Sequence, residues 1–135
     1  MKKKDIKILL VDDEQDILEI VGYNLSQEGY QIVTASNGKE AIAKAKKEHP
    51  QLIIMDVMMP EMDGMEACEN IRKIPELQDT IMTFLTARSE DYSQVAGFDA
   101  GADDYIAKPI KPKVLVSKVQ ALLRRLKGIE GVSSS

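Results

Sequence analysis

The stretch LIIMD, residues 52–56, decides the reading of this chain. Four apolar residues run without a polar break and end on an aspartate, so both faces of the segment are apolar, as in a strand covered by helices on each side. Two further segments share the pattern: ILLV at 8–11, followed by a pair of aspartates, and IMTFL at 81–85, followed by a threonine. A half-solvated antiparallel sheet would show strict alternation instead, so these runs point to a parallel sheet. Working outward, the expected strands are 6–11, 31–35, 52–56, 81–86 and the short 105–107.

Between the strands lie stretches of helical period, expected at about 15–27, 38–47, 64–73, 90–99 and 112–126. Ile17, Leu18, Val21 and Leu25 recur at spacings of three and four, as do Val114, Leu115, Val119, Leu122 and Leu123, giving each helix one apolar stripe. Asp16, Ser36 and Asn37 are candidate N-caps, Gly29 follows the first helix where a left-handed residue is expected, and Pro112 suits the first turn of the last helix. Five β/α units with single-helix crossovers make a three-layer αβα sandwich, a doubly wound (βα)5 fold. Ligands of such sheets bind beyond the carboxyl ends of the strands.

The chain has 135 residues, enough for one domain, and a net charge of −4 that disfavours a domain built to grip a phosphate backbone. That charge is unevenly spread: residues 1–107 carry 11 basic and 21 acidic side chains, residues 108–135 carry 7 and 1. No direct binding of nucleic acid is expected. The lone cysteine, Cys68, cannot form an internal disulfide, and MKKKDIKILLVDD is too soon interrupted by acid to be a signal peptide or a membrane span. The expectation is a cytoplasmic protein without membrane association.

The strand ends hold the chemistry. Asp12 and Asp13 close the first strand and Asp56 the third, and oxygen ligands gathered this way suit a hard divalent cation such as Mg²⁺, with Mn²⁺ as a substitute. The competing reading is that aspartates in strand-to-helix loops cap helices, though Asp56 is followed by the apolar VMMP. Thr86 ends the fourth strand and Lys108 follows the fifth; a hydroxyl and an ammonium beside carboxylates complement a phosphate carried on a carboxylate. Taken singly, each is equally a strand threonine or a surface lysine. No glycine-rich dinucleotide or P-loop motif is present.

The blocks ILLVDDE at 8–14, LIIMDVMMPEMDGMEACENIR at 52–72, FLTAR at 84–88, GADDYIAKPI at 101–110 and VQALLRR at 119–125 together resemble the receiver domain of two-component response regulators, over nearly the whole chain. Thr86 stands 30 positions after Asp56 and Lys108 stands 22 after Thr86, in the family's order. The resemblance implies a sheet of order 2-1-3-4-5 and a phosphoacceptor at Asp56, phosphorylated from the phosphohistidine of a sensor histidine kinase or phosphotransfer protein. It implies Mg²⁺ held by Asp12, Asp13, Asp56 and the backbone carbonyl of Met58, phosphoryl oxygens bound by Thr86 and Lys108, and a switch pairing Thr86 with Tyr105. Pro109 matches a family proline in a cis Lys-Pro bond, and Ala87, with the Met58 side chain, is expected to govern water access to the acyl phosphate. Such a protein catalyses its own phosphorylation and dephosphorylation while serving chiefly as a signalling switch.

The later blocks look most like receivers that precede a winged-helix DNA-binding domain, which dimerise through the fourth helix, fifth strand and fifth helix. One ion pair usual there is missing, since Gln94 and Val114 stand at its two positions; separately, Ile110 stands where the family commonly has phenylalanine and reshapes the same neighbourhood. Asp99, Asp103, Asp104, Lys118 and Arg124 could supply others. Residues 1–127 are read as the receiver domain and 128–135 as a flexible tail, a linker start or a cloning remnant. Two alternatives stay open on the residues alone: a pseudo-receiver that only binds protein, and an aspartyl-phosphate hydrolase, although hydrolases of that kind usually carry a DxD nucleophile on the first strand.

Overall fold

The apolar runs are strands whose successive side chains face opposite sides of one sheet, and each side is closed by helices. The computed structural model describes residues 2–87 and 99–126. The strands are β1 (Lys7–Val11), β2 (Gln31–Ala35), β3 (Leu52–Asp56), β4 (Ile81–Thr86) and β5 (Asp104–Ala107). The helices among the described residues are α1 (Gln15–Gln27), α2 (Gly38–Glu48), α3 (Gly64–Arg72) and α4 (Pro112–Leu123). All strand pairs are parallel, in the order β2-β1-β3-β4-β5. The expected helix at 90–99, with Gln94, lies outside the described residues apart from Asp99, as do residues 128–135.

Period-two alternation divides the core in two. Ile8, Leu10, Leu52 and Ile54 point into one cluster with Leu18, Val21 and Leu25 of α1 and Leu115, Val119, Leu122 and Leu123 of α4. Leu9, Val11, Ile53 and Met55 point into the other with Ala41 and Ala45 of α2 and Ala67, Cys68 and Ile71 of α3. This is why β1 and β3 carry no polar alternation until their carboxyl ends, where the apolar clusters stop and the still-buried Asp12 and Asp56 begin.

Helix ends correct two expectations. Asp16 does not cap α1; it lies in the helix's first turn, while Glu14 occupies the cap position without a side-chain cap bond. The loop instead uses Asp12, whose Oδ1 accepts from the Glu14 N–H at 2.9 Å. Asn37, not Ser36, caps α2, its Oδ1 accepting from Glu40 N–H at 2.8 Å, and Ser36 donates its hydroxyl to the Glu40 carboxylate. Gly29 takes the left-handed conformation, φ +101°, and Pro112 is the first residue of α4. The helix expected over 112–126 ends three residues sooner, at Leu123, and β5 starts one residue before 105, at Asp104.

At the amino ends of β4 and β5 a second polar network forms. Arg72, the last residue of α3, donates to the carbonyls of Gly101 (2.9 Å), Gln78 (3.3 Å) and Thr80 (2.6 Å) and to Asp103 Oδ2 (3.0 Å). Asp103 also accepts from Met82 N–H at 2.8 Å and pairs with Arg125 at 3.1 Å. The guanidinium thereby ties α3 to the starts of two strands and to the segment after α4.

Candidate acidic pocket at the strand ends

Strand register assembles the site. Val11 pairs with Met55, and Asp56 with Leu85, so Asp12 and Asp56 emerge side by side from adjacent central strands. Asp12 extends the ladder by donating its N–H to Ala35 O, and Val57 does the same to Leu85 O. Thr86 pairs with Ala107, and Lys108 donates its N–H to Thr86 O at 2.8 Å, which sets the lysine next to the threonine at the same edge.

One carboxylate oxygen from each of Asp12, Asp13 and Asp56 lies within 4.8 Å of the others. Asp12 has no exposed surface and Asp56 is 5% exposed, whereas Asp13 faces solvent. Lys108, its side chain 15% exposed, reaches in with its ammonium 3.1 Å from Asp12 Oδ2, 3.5 Å from Asp56 Oδ2 and 3.5 Å from Glu14 Oε2. Asp12 Oδ2 receives no well-aligned hydrogen bond, although the ammonium touches it. Asp56 is oriented at both oxygens: Met58 N–H donates to Oδ1 at 3.2 Å while Oδ2 faces Lys108.

Among the described residues one cation stands among four acidic groups, which leaves the pocket under-neutralised. Burial, then the Asp12 charge, push the Asp56 carboxyl up to about 6, with Lys108 acting in the opposite direction. Burial also raises Asp12, against the Glu14 N–H and the Lys108 ammonium, which favour its charged form. Lys108 is raised despite its own burial, because Asp12, Asp56 and Glu14 all favour the cation. A buried pair of carboxylates with a third at the rim, their oxygens converging within 4.8 Å, is a fit donor set for a hard divalent ion.

The other expected residues fall around this pocket. Thr86, 7% exposed, ends β4 beside it. Met58 exposes 73% of its surface at the mouth of the loop after β3, and Ala87 is exposed after β4. The Lys108–Pro109 peptide bond is cis. Tyr105 stands half-buried on β5, packed against the second core, with the Lys118 ammonium 4.8 Å from its ring centre and donating to its carbonyl at 2.8 Å. Glu14 had not been singled out as a member of the site, although its place directly after the aspartate pair was the available signal. Gly64 was missed as well: a Cβ there would stand 2.2 Å from the carbonyl oxygen of Asp56, so the start of α3 is pressed against the backbone of the acidic residue.

Comparison with known proteins agrees with this geometry. A family model described as the response regulator receiver domain matches residues 8–120. The alkaline phosphatase synthesis transcriptional regulatory protein PhoP of Bacillus subtilis is 45% identical over 119 residues, covering 88% of this chain and 49% of that protein. The transcriptional regulatory protein ResD of the same organism is 47% identical over 121 residues, covering 90% and 49%. The chain therefore spans about half the length of these relatives. Among solved structures, the chemotaxis response regulator CheY4 of Vibrio cholerae superposes with a TM-score of 0.84 at 35% identity, over 87% of this chain and 98% of that one.

Proposed function

Since this chain belongs to the response regulator receiver family and is a receiver domain of a two-component response regulator, we propose that Asp56 is its phosphoacceptor and that Asp12, Asp13 and Asp56, with the Met58 carbonyl, hold Mg²⁺. Receiver domains generally bind Mg²⁺ at the acidic pocket and interact with histidine kinases or phosphotransfer proteins. The observation that carries the proposal is the convergence of three carboxylate oxygens within 4.8 Å beside the half-buried Lys108 ammonium. Bound there, the ion would supply charge neutralisation for both the attacking carboxylate and the incoming phosphoryl oxygens.

The chain's own groups do the rest. Near neutral pH the Asp56 carboxyl, lifted only to about 6, is mostly ionised and available as a nucleophile. Met58 N–H and Lys108 fix its orientation, so that its oxygen meets phosphorus without a rotational search. The carboxylate–phosphorus bond forms as the phosphorus–nitrogen bond of the phosphohistidine breaks, and the histidine nitrogen leaves. Lys108 then exchanges its carboxylate contacts for phosphoryl oxygens, and the Thr86 hydroxyl donates to the same group. Drawing Thr86 toward the phosphate vacates space beside Tyr105 on the neighbouring strand, the coupling through which the outer face of β5 responds. Water admitted past Met58 and Ala87 hydrolyses the acyl phosphate and resets the switch.

The receiver occupies residues 1–127 on this reading, and the response passes to an output region or partner, in keeping with relatives that are transcriptional regulators. A dimer through the helix expected at 90–99, β5 and α4, the last being the fifth helix expected from the sequence, is part of the same proposal. Val114 exposes an apolar surface on that face, while Asp103 and Asp104 are already paired within the chain, to Arg72 and Arg125 and to Lys118. Among the described residues no helix is long and apolar enough to cross a membrane.

The deciding experiment is intact mass spectrometry after incubation with Mg²⁺ and acetyl phosphate. One added phosphoryl group, lost in Asp56→Asn, is expected. Labelling unchanged in Asp56→Asn overturns the assignment; steady release of phosphate without an adduct indicates a hydrolase, and no reaction at all indicates a protein-binding pseudo-receiver.

A further inference from the structure

Beyond the residues that touch the acidic pocket, the loop between β3 and α3 is held from outside by α2. Met62 lies on the first residue of α2: a Cβ placed on Gly38 would stand 2.9 Å from Met62 Cγ, 2.9 Å from Sδ and 3.0 Å from Cβ. Gly38 is buried, and Met62 is half-buried against the core formed by α2 and α3. The loop around Met62 has little slack. Glu61 sits at φ +68°, Met62 N–H donates to Pro60 O at 2.8 Å, and Gly64 N–H closes the loop onto Val57 O at 2.9 Å. Gly64 in turn abuts the Asp56 carbonyl. Any displacement that rotation of the Met62 side chain does not take up passes along this cross-bonded loop toward Met58, whose N–H holds Asp56 Oδ1.

We infer that Met62, seated on Gly38, is a positioning residue for Asp56: the amino end of α2 sets the height of the acceptor loop, and through it the orientation of the acceptor carboxylate. The inference rests on the reading of Asp56 as phosphoacceptor. Neither residue touches the reacting atoms. The side chain Gly38 lacks is what gives Met62 its seat, so the effect of adding a methyl group there must run through Met62.

A double-mutant cycle tests it. Gly38→Ala adds one methyl group at the buried start of α2 and raises helix propensity there, and far-UV circular dichroism checks that the variant folds. Its initial rate of phosphorylation by acetyl phosphate is expected to fall about tenfold, the scale on which sub-ångström misplacement acts. In a Met62→Ala background, where the methyl group has room, the same substitution is expected to change the rate less than about twofold. An equal loss in both backgrounds overturns the inference. NMR of the metal-free protein gives a second readout independent of phosphorylation: Gly38→Ala should shift the Met62 methyl and the Met58 amide together, whereas a shift confined to Met62 overturns the coupling even if Met62→Ala fails to fold. Failure of the wild-type protein to accept phosphate would strike the acceptor assignment itself, and the NMR comparison would still decide whether α2 positions the loop.

Discussion

The Lys108 ammonium lies closer to Asp12, at 3.1 Å from Oδ2, than to Asp56, at 3.5 Å from Oδ2. The lysine is thus anchored by the fully buried aspartate and shared with Asp56, so it serves as the pocket's internal counter-ion. The same location makes it a competitor for a metal ion, since two positive charges a few ångströms apart repel each other.

Lys108→Met should therefore act in opposite directions on two observables. Mg²⁺ affinity, measured by the rise of melting temperature with added Mg²⁺, should increase severalfold, while the rate of phosphorylation should fall by about two orders of magnitude with the loss of a phosphoryl-binding cation. A parallel loss of both would show that Lys108 organises the metal site rather than opposing it.

Asp56 carries a stability cost with a definite pH window. Its carboxyl is raised from 3.8 to about 6 in the folded protein, so the native state holds that proton more tightly than the unfolded chain does. Stability of the metal-free protein then falls as pH climbs from about 4 through 6, with the cost fully present above the folded pKa and absent below the unfolded one. Asp56→Asn should be more stable than wild type by on the order of 2–3 kcal/mol at pH 8, and by much less at pH 4. Urea denaturation in EDTA at the two pH values checks this; equal stabilities at pH 8 would contradict it.

Thr86→Val keeps the shape of a buried strand-end side chain and removes its hydroxyl. The variant should still gain a phosphoryl group, but the Tyr105 ring resonances that move in wild type on adding the beryllofluoride mimic should stay in place. Movement of Tyr105 in the variant would separate the ring from the threonine.

Arg72→Ala is expected to destabilise the protein by about 2–4 kcal/mol, because it strips charged donors from three carbonyls and leaves Asp103 with one fewer partner. Phosphorylation of the remaining folded protein should change less than about twofold, since the network lies at the end of the sheet away from Asp56. Chemical denaturation and the acetyl phosphate assay report the two quantities separately.

The parts legible in the sequence share a cause. The runs at 8–11, 52–55 and 81–85 expose the strands because each residue must face one of two dry cores, and the polar residue that ends each run marks where cover stops. Asp12, Asp56 and Thr86 are readable for that reason, whereas Lys108 is readable from its place after the short fifth strand and from the family resemblance. Asp16 misled because an acid in a helix's first turn looks the same in sequence whether it caps or follows the cap, and the loop had recruited Asp12 to the Glu14 amide. Arg72 was unreadable because its partners are mainly backbone carbonyls, which every residue possesses, brought together from positions 78, 80 and 101. Gly38 and Met62 were hidden similarly: a close approach between a helix start and a loop leaves no periodicity.

The Arg72 network also has a mechanical consequence. It clamps the amino ends of β4 and β5 to α3 and to the segment after α4, while Thr86 and Lys108 sit at the opposite, carboxyl ends, where Lys108 pairs with Asp12 and Asp56. The two ends of this sheet edge are therefore held by different chemistry, a guanidinium on carbonyls at one and an ammonium shared among carboxylates at the other, so charge added at the pocket acts directly on one end alone.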